Sequence, residues 1–439
     1  DLYESGDDYV ETYRQGPYTW AEGSFNGTQW RKDDNGVVTL VSGFAQTANP
    51  FTATLSQPSA HDSSLRVLGI TTTQPACVVV QLAPQPGLVQ QRYYDAKTFL
   101  LRRVVTSDYQ AQPWTFDYGD LRTRYGVTFP QTITYHDAQP ENASVMRALT
   151  FEPVAASAVH TAVPITRPLF TLPSTMPVTV PADFTPHGII VRVTIHGRGL
   201  DFELDSGASD LVLDAGVARE LGLAISDVRK ESFSGDYSEG RSIASDFSIG
   251  SLRAQNVAIT TIPFSRMVGE RKVVGLLGGD FFASERVAVN FKNDTLAISP
   301  ASTDAPAGTW SAMPIQVDDS VPRMHAKFNA VDGAFVVDLG ADVTMLYPHF
   351  FRQFHPKNKG DVLGQIEGVA GEGVDFRQYT FSRFDLGDMA FADVSAAVTS
   401  GTKFEDIDYD GLLGRNVLDN FNLVFDYPNG KLYLQSLVQ

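Results

Sequence analysis

Two segments constrain this chain more than anything else in it. "FELDSGASDLVL" (Phe202 to Leu213) and "FVVDLGADVTML" (Phe335 to Leu346) superpose without a gap, 133 residues apart. Phe202 falls on Phe335, Asp205 on Asp338, Gly207 on Gly340, Ala208 on Ala341 and Leu213 on Leu346. Each segment reads as a buried strand that ends on an aspartate and turns sharply into a second apolar strand. A carboxylate at the end of an apolar strand is costly unless it has partners. The repeat offers one, because each aspartate can face the other.

The repetition runs well beyond the turns. Alternating strands precede each, "IIVRVTIHGRGLDFEL" and "RMHAKFNAVDGAFVV". A short helical stretch follows each, "DAGVARELGL" and "YPHFFRQF", and then a Gly-rich hairpin, "FSGDYSEGRS" and "EGVAGEGVDF". Gly-Leu-Leu-Gly begins at Gly275 and at Gly411, 70 and 73 residues after the respective aspartates. Closing hairpins follow, "VAVNFKNDTLAIS" and "NLVFDYPNGKLYLQ", the second marked by Asn429-Gly430. This is the internal duplication of a β lobe of roughly 120 residues.

Period-2 alternation also dominates the first third of the chain, in "RYYDAKTFLLRRVV", "TFDYGDLRTRY" and "VTFPQTITYHD". The segment from Ala162 to Pro186 carries six prolines and reads as an extended connector. The expected division is a β domain over 1–156, a Pro-rich linker over 157–183, a first lobe over 184–302 and a second over 303–439. Both lobes are expected to fold without residues 1–156.

Bulk properties exclude several functions. The net charge is −17 with no basic stripe, which argues against nucleic acid. No apolar run approaches the ~18 residues of a membrane-spanning helix. Cys77, the single cysteine, is expected in a buried strand and allows no internal disulfide. The eight histidines are scattered, and His349 and His355 stand in no ligand pattern, so neither a metal nor a cofactor is expected. No G-x-S-x-G or Cys/His nucleophile pattern occurs.

Two lobes that each present one aspartate would bring Asp205 and Asp338 together at a pseudo-twofold axis. Paired carboxylates cannot both ionise readily, so they share a proton. Such a pair can take a proton from a water and give one to a carbonyl oxygen. Gly207 and Gly340 lack a Cβ, so their backbone can approach the partner carboxylate and their N–H groups can hold it. The Gly-rich hairpins, one carrying Tyr237 and the other Gly371, are expected to cover the cleft and touch substrate.

On "LDSGAS", "VDLGAD" and the two downstream "GLLG" runs, residues 184–439 resemble the retropepsin/pepsin-like aspartic proteases, as in bacterial single-chain relatives. The resemblance implies a mostly β, bilobal fold and a monomeric endopeptidase with Asp205 and Asp338 as its catalytic pair. It also implies a peptide or protein substrate, and a periplasmic or secreted location with a signal peptide removed before "DLYESGDDYV". On "YYDAKTFLLRRVV" and "RYGVTFPQTI", residues 1–156 resemble the LolA-type lipoprotein carrier fold, which implies a possible lipid or apolar ligand there. The departure is Leu339. The family places Thr or Ser after each catalytic aspartate, with a hydroxyl that bonds across to the other turn. Ser206 keeps that hydroxyl and Leu339 lacks it, a loss of about 1 kcal/mol or more. This leaves a second expectation, a weak or inactive relative that binds peptides or lipids.

Overall fold

In a computed structural model, the protein is described over residues 2–5, 8–41, 64–85, 88–107, 113–148, 150–155, 162–172, 177–231, 237–302, 304–355, 360–367, 373–399 and 409–437. The fold is mostly β, as the alternation predicts. The N-terminal region forms two antiparallel sheets, one of five strands over 2–41 and one of seven strands over 66–147. Its strands Leu88–Asp95, Leu101–Ser107, Pro113–Arg124 and Val127–His136 pair in succession, with Val104 and Phe116 buried beneath the stacked rings of Trp114 and Tyr135. Cys77 is buried in the strand Cys77–Gln85.

The two lobes repeat one topology. In the first, the short strand Gly275–Leu277 lies between Arg198–Leu204, to which it is parallel, and Leu211–Asp214, to which it is antiparallel. In the second, Gly411–Leu413 lies between Val331–Val337 and Met345–Leu346 in the same senses. Glycine begins each inserted strand for lack of room. A Cβ on Gly275 would lie 2.5 Å from the Val212 carbonyl oxygen, and one on Gly411 would strike the Met345 carbonyl. One continuous hydrophobic core runs through both lobes and includes Phe202, Leu204, Phe335, Val337 and Leu339.

The closing hairpins of the two lobes meet in a six-stranded sheet. Its central pair is Glu285–Asn290 against Phe421–Asp426, with Val287 opposite Phe425 and Val289 opposite Leu423. Arg286 donates from Nε to Asp426 Oδ2 at 2.8 Å, so the buried charge at this seam is matched.

The Pro-rich stretch contributes more structure than a connector. Val178–Val180 adds an edge strand to the six-stranded sheet and Ala182–Thr185 pairs with Gly188–Ile195, so the first lobe begins before residue 184. Phe170 is buried in the common core, and its N–H donates to Glu285 Oε1 at 3.4 Å. Proline punctuates these pieces without preventing short edge strands.

The N-terminal domain is docked on the first lobe. Asn35, 6% exposed, behaves like one more residue of a strand. Its Nδ2 donates to the Ala258 carbonyl at 3.0 Å and its Oδ1 accepts from the Ala258 N–H at 2.8 Å. Nδ2 also donates to Asp280 Oδ2 at 2.7 Å. Around this contact, Arg241 pairs with Asp34 and lies over the rings of Tyr18 and Trp20, and Gln15 donates to Asp227 at 3.0 Å.

Candidate active site

Strand alternation sets the site. In Arg198–Leu204, Phe202 and Leu204 enter the core, so Glu203 and the following Asp205 face the opposite side. In Val331–Val337, Phe335 and Val337 enter the core and Asp338 follows. The inserted strands hold both turns from behind. The Asp205 N–H donates to the Leu277 carbonyl at 3.1 Å, and the Asp338 N–H to the Leu413 carbonyl at 3.0 Å.

The turns match in detail. Asp205 Oδ1 accepts from the Gly207 and Ala208 N–H groups at 2.9 and 3.1 Å. Asp338 Oδ1 accepts from those of Gly340 and Ala341 at the same two distances. The two carboxyl groups meet between the lobes, each lying against the glycine of the other's turn. The glycines divide their task differently from the expectation. Each glycine N–H holds the carboxylate of its own lobe, while its bare Cα admits the partner's. A Cβ on Gly207 would lie 2.6 Å from Asp338 Oδ1, and one on Gly340 would lie 2.7 Å from Asp205 Oδ1.

Between the turns the symmetry breaks where the sequence breaks it. The buried Ser206 hydroxyl donates to the Val337 carbonyl at 2.7 Å and accepts from the Leu339 N–H at 3.0 Å. The reciprocal hydroxyl would come from position 339. Leu339 is wholly buried there in the common core, so packing stands in place of a hydrogen bond.

Both aspartates hold their protons more tightly than usual. Burial raises Asp205, against the hydrogen bonds of its turn and the nearby charge of Arg266. Burial, and then the Asp205 charge, raises Asp338 further. Burial therefore leaves the pair holding one shared proton and one negative charge in weak acid.

Tyr237 opens the second strand of the first lobe's hairpin and packs on a separate apolar cluster of Ile190, Val212, Ile262, Phe264, Val268, Val273 and Leu276. Ala208, beside the Asp205 turn, packs on the same cluster. The strands of both Gly-rich hairpins pair, Glu231 with Tyr237 and Glu367 with Gly373. Gly371 lies outside the described residues. Among the described residues, no three His, Cys, Asp or Glu side chains are placed to hold a metal ion.

Three features escape sequence reasoning. Glu203, two residues before Asp205 and on its face of the strand, is fully buried and ion-paired with Arg266. Its position beside the first aspartate was the available signal. The second residue after each Gly-Leu-Leu-Gly differs between lobes: in the second lobe it is Asn416, which accepts from Thr344 N–H and Oγ1 at 2.6 and 2.8 Å. In the first lobe these places are taken by Asp280 and Leu211, and Asp280 receives its bond from Asn35 of the N-terminal domain. Asp210 is the third feature. Burial, then the charges of Asp319 and Asp33, push it up to about 6, while Thr260 donates to it at 2.8 Å.

Residues 191–281 and 324–417 match the family model described as Aspartyl protease, and each segment holds one aspartate turn with its Gly-Leu-Leu-Gly. Among solved structures, the chain is similar to the aspartic proteinase from Irpex lacteus. The likeness has 15% identity and a TM-score of 0.40, and covers 60% of this chain and 97% of that one. No curated protein matches the chain.

Proposed function

We propose that this protein hydrolyses peptide bonds with Asp205 and Asp338 as its catalytic pair. The observation that carries the reading is the pair of carboxyl groups held on matching turns, one from each half of the duplication, each lying against the glycine of the other's turn. Ionised Asp205 accepts a proton from a water as the water oxygen attacks the substrate carbonyl carbon. Protonated Asp338 gives its proton to the carbonyl oxygen, leaving a neutral tetrahedral diol. On collapse, the proton held by Asp205 passes to the leaving amine and Asp338 recovers one from the diol, so the C–N bond breaks and the pair returns to its starting state. The match of both halves to the Aspartyl protease family model supports this reading.

The test is incubation of the full chain with a denatured protein between pH 3 and 7, with products identified by mass spectrometry. Cleavage is expected, with a bell-shaped pH dependence and loss in Asp205→Asn and in Asp338→Asn. Leu339 favours a second reading, a peptide-binding relative without turnover. Peptide binding with no cleavage at any pH would establish it in place of the first.

A further inference from the structure

Among the described residues, Glu203 is a buried acid close to the pair that hydrolysis does not use. It is 0% exposed, and its neighbours across the sheet, Ile190 and Leu276, both belong to the apolar cluster on the aspartate face. Its carboxyl group presses on backbone, since a Cβ on Gly188 would lie 2.7 Å from Glu203 Oε1. A carboxylate in such a place needs a reason.

The reason is Arg266, which opens the strand Arg266–Val268 and pairs through its NH2 group with Glu203 Oε1. The arginine side chain is 40% exposed, although Val268 of the same strand lies in the apolar cluster. Arg266 Nε and Glu203 Oε2 have no hydrogen-bond partner among the described residues. Its charge also reaches Asp205, whose proton it loosens. A guanidinium carries five N–H donors in a rigid fork, and only one of its edges is engaged here. It is a fixed cation on an otherwise apolar wall beside the pair.

We infer that Arg266, seated on Glu203, is a specificity-determining residue that selects substrates with a carboxylate side chain next to the scissile bond. The fork matches a carboxylate in two parallel hydrogen bonds, which neither an amide nor a hydroxyl reproduces with equal strength. Burial pushes the Glu203 carboxyl up to about 8 despite Arg266. Glu203 seats the guanidinium, and the 40% of the arginine side chain left exposed is what a second carboxylate can reach. The other charges it faces are those of Asp205, Asp338 and Asp342. The paired carboxyls share one negative charge between them, so the guanidinium remains available to a substrate anion.

This inference rests on the peptidase reading for its substrate class, and the experiment separates the two. Peptides with a non-cleavable hydroxyethylene unit at the scissile position, flanked by Glu or by Gln, are titrated into the full chain at pH 6 by fluorescence anisotropy. The Glu peptide should bind on the order of tenfold tighter. Arg266→Gln should erase the difference, with a thermal melt of the variant beside the parent reporting that it is folded. Arg266→Lys should keep part of the preference. Equal affinities in the parent, a preference that survives Arg266→Gln, or no binding of either peptide would overturn the inference. A Glu preference in a chain that cleaves no denatured protein would uphold the inference and overturn the peptidase reading. Cleavage without a binding preference would do the reverse.

Discussion

Replacing Leu339 with threonine restores the hydroxyl missing between the two turns, and its effect follows from the site. Leu339 is wholly buried. Threonine gives up packing worth ~1–2 kcal/mol in a core that relaxes only in part. A buried hydroxyl costs a further ~1–3 kcal/mol if unbonded. Here the counterparts of both Ser206 bonds are within the design of the fold: the Ser206 N–H can donate to the new hydroxyl, and the hydroxyl to the Leu204 carbonyl. Two bonds of ~1 kcal/mol each offset most of that desolvation, so the net loss is ~1–2 kcal/mol. Leu339→Ala loses the packing with no hydroxyl to bond and should cost ~2–5 kcal/mol. Denaturant unfolding of the two variants and the parent gives both differences. With the turns held from both sides, kcat on a cleaved peptide should rise by up to about tenfold, the equivalent of ~1.4 kcal/mol. A threonine variant no more stable than the alanine one, or a folded threonine variant with lower kcat, would refute the idea that the leucine replaces a grip between the turns.

Two further outcomes concern the docked N-terminal domain. Burial is the leading cause that raises Asp33, Asp210 and Asp280 above the ordinary carboxyl range, with Asp210 at about 6. Folded values above the unfolded ones contribute stability that is complete below about pH 4 and is lost as pH rises through the folded values. The melting temperature should therefore fall as pH rises from about 4 through 6, and Asp280→Asn, which copies Asn416 of the second lobe, should flatten that fall. An unchanged slope would rule out Asp280 as its source. Asn35→Ala removes three bonds to the first lobe and should weaken docking by ~2–4 kcal/mol, seen in calorimetry as an earlier, separate transition. A single unshifted transition would place the docking energy elsewhere.

The parts of this molecule that were legible in the sequence are those built from neighbours along the chain. The aspartate turns, the inserted Gly-Leu-Leu strands and the closing hairpins each carry a local pattern, and duplication showed every pattern twice. What escaped depends on contacts between distant residues. Glu203 and Arg266 are 63 residues apart, and Asn35 and Asp280 are 245 apart. Neither pair has a periodicity or a spacing that marks it. The edge strands at Val178–Val180 and Ala182–Thr185 were hidden by the prolines around them, because a proline-rich composition reads as extended linker whether or not a sheet edge lies nearby. Leu339 was legible as a departure, but only the structure reveals that its side chain belongs to the core.

The seam between the lobes carries a consequence for how such a chain could have arisen. Val287 faces Phe425, Ala288 faces Val424 and Val289 faces Leu423, an antiparallel register centred on Ala288 and Val424. The duplication places Val287 on Leu423, Ala288 on Val424 and Val289 on Phe425. Each strand therefore meets the counterpart of itself, which is the pairing of two identical subunits about a twofold axis. A gene encoding one lobe would already specify its own partner, since a lone lobe would leave this apolar edge open to a second copy. Joining two such genes end to end would convert a homodimer into a monomer without changing the contact. Once joined, the halves could carry different residues at matching places, as Ser206 and Leu339 do.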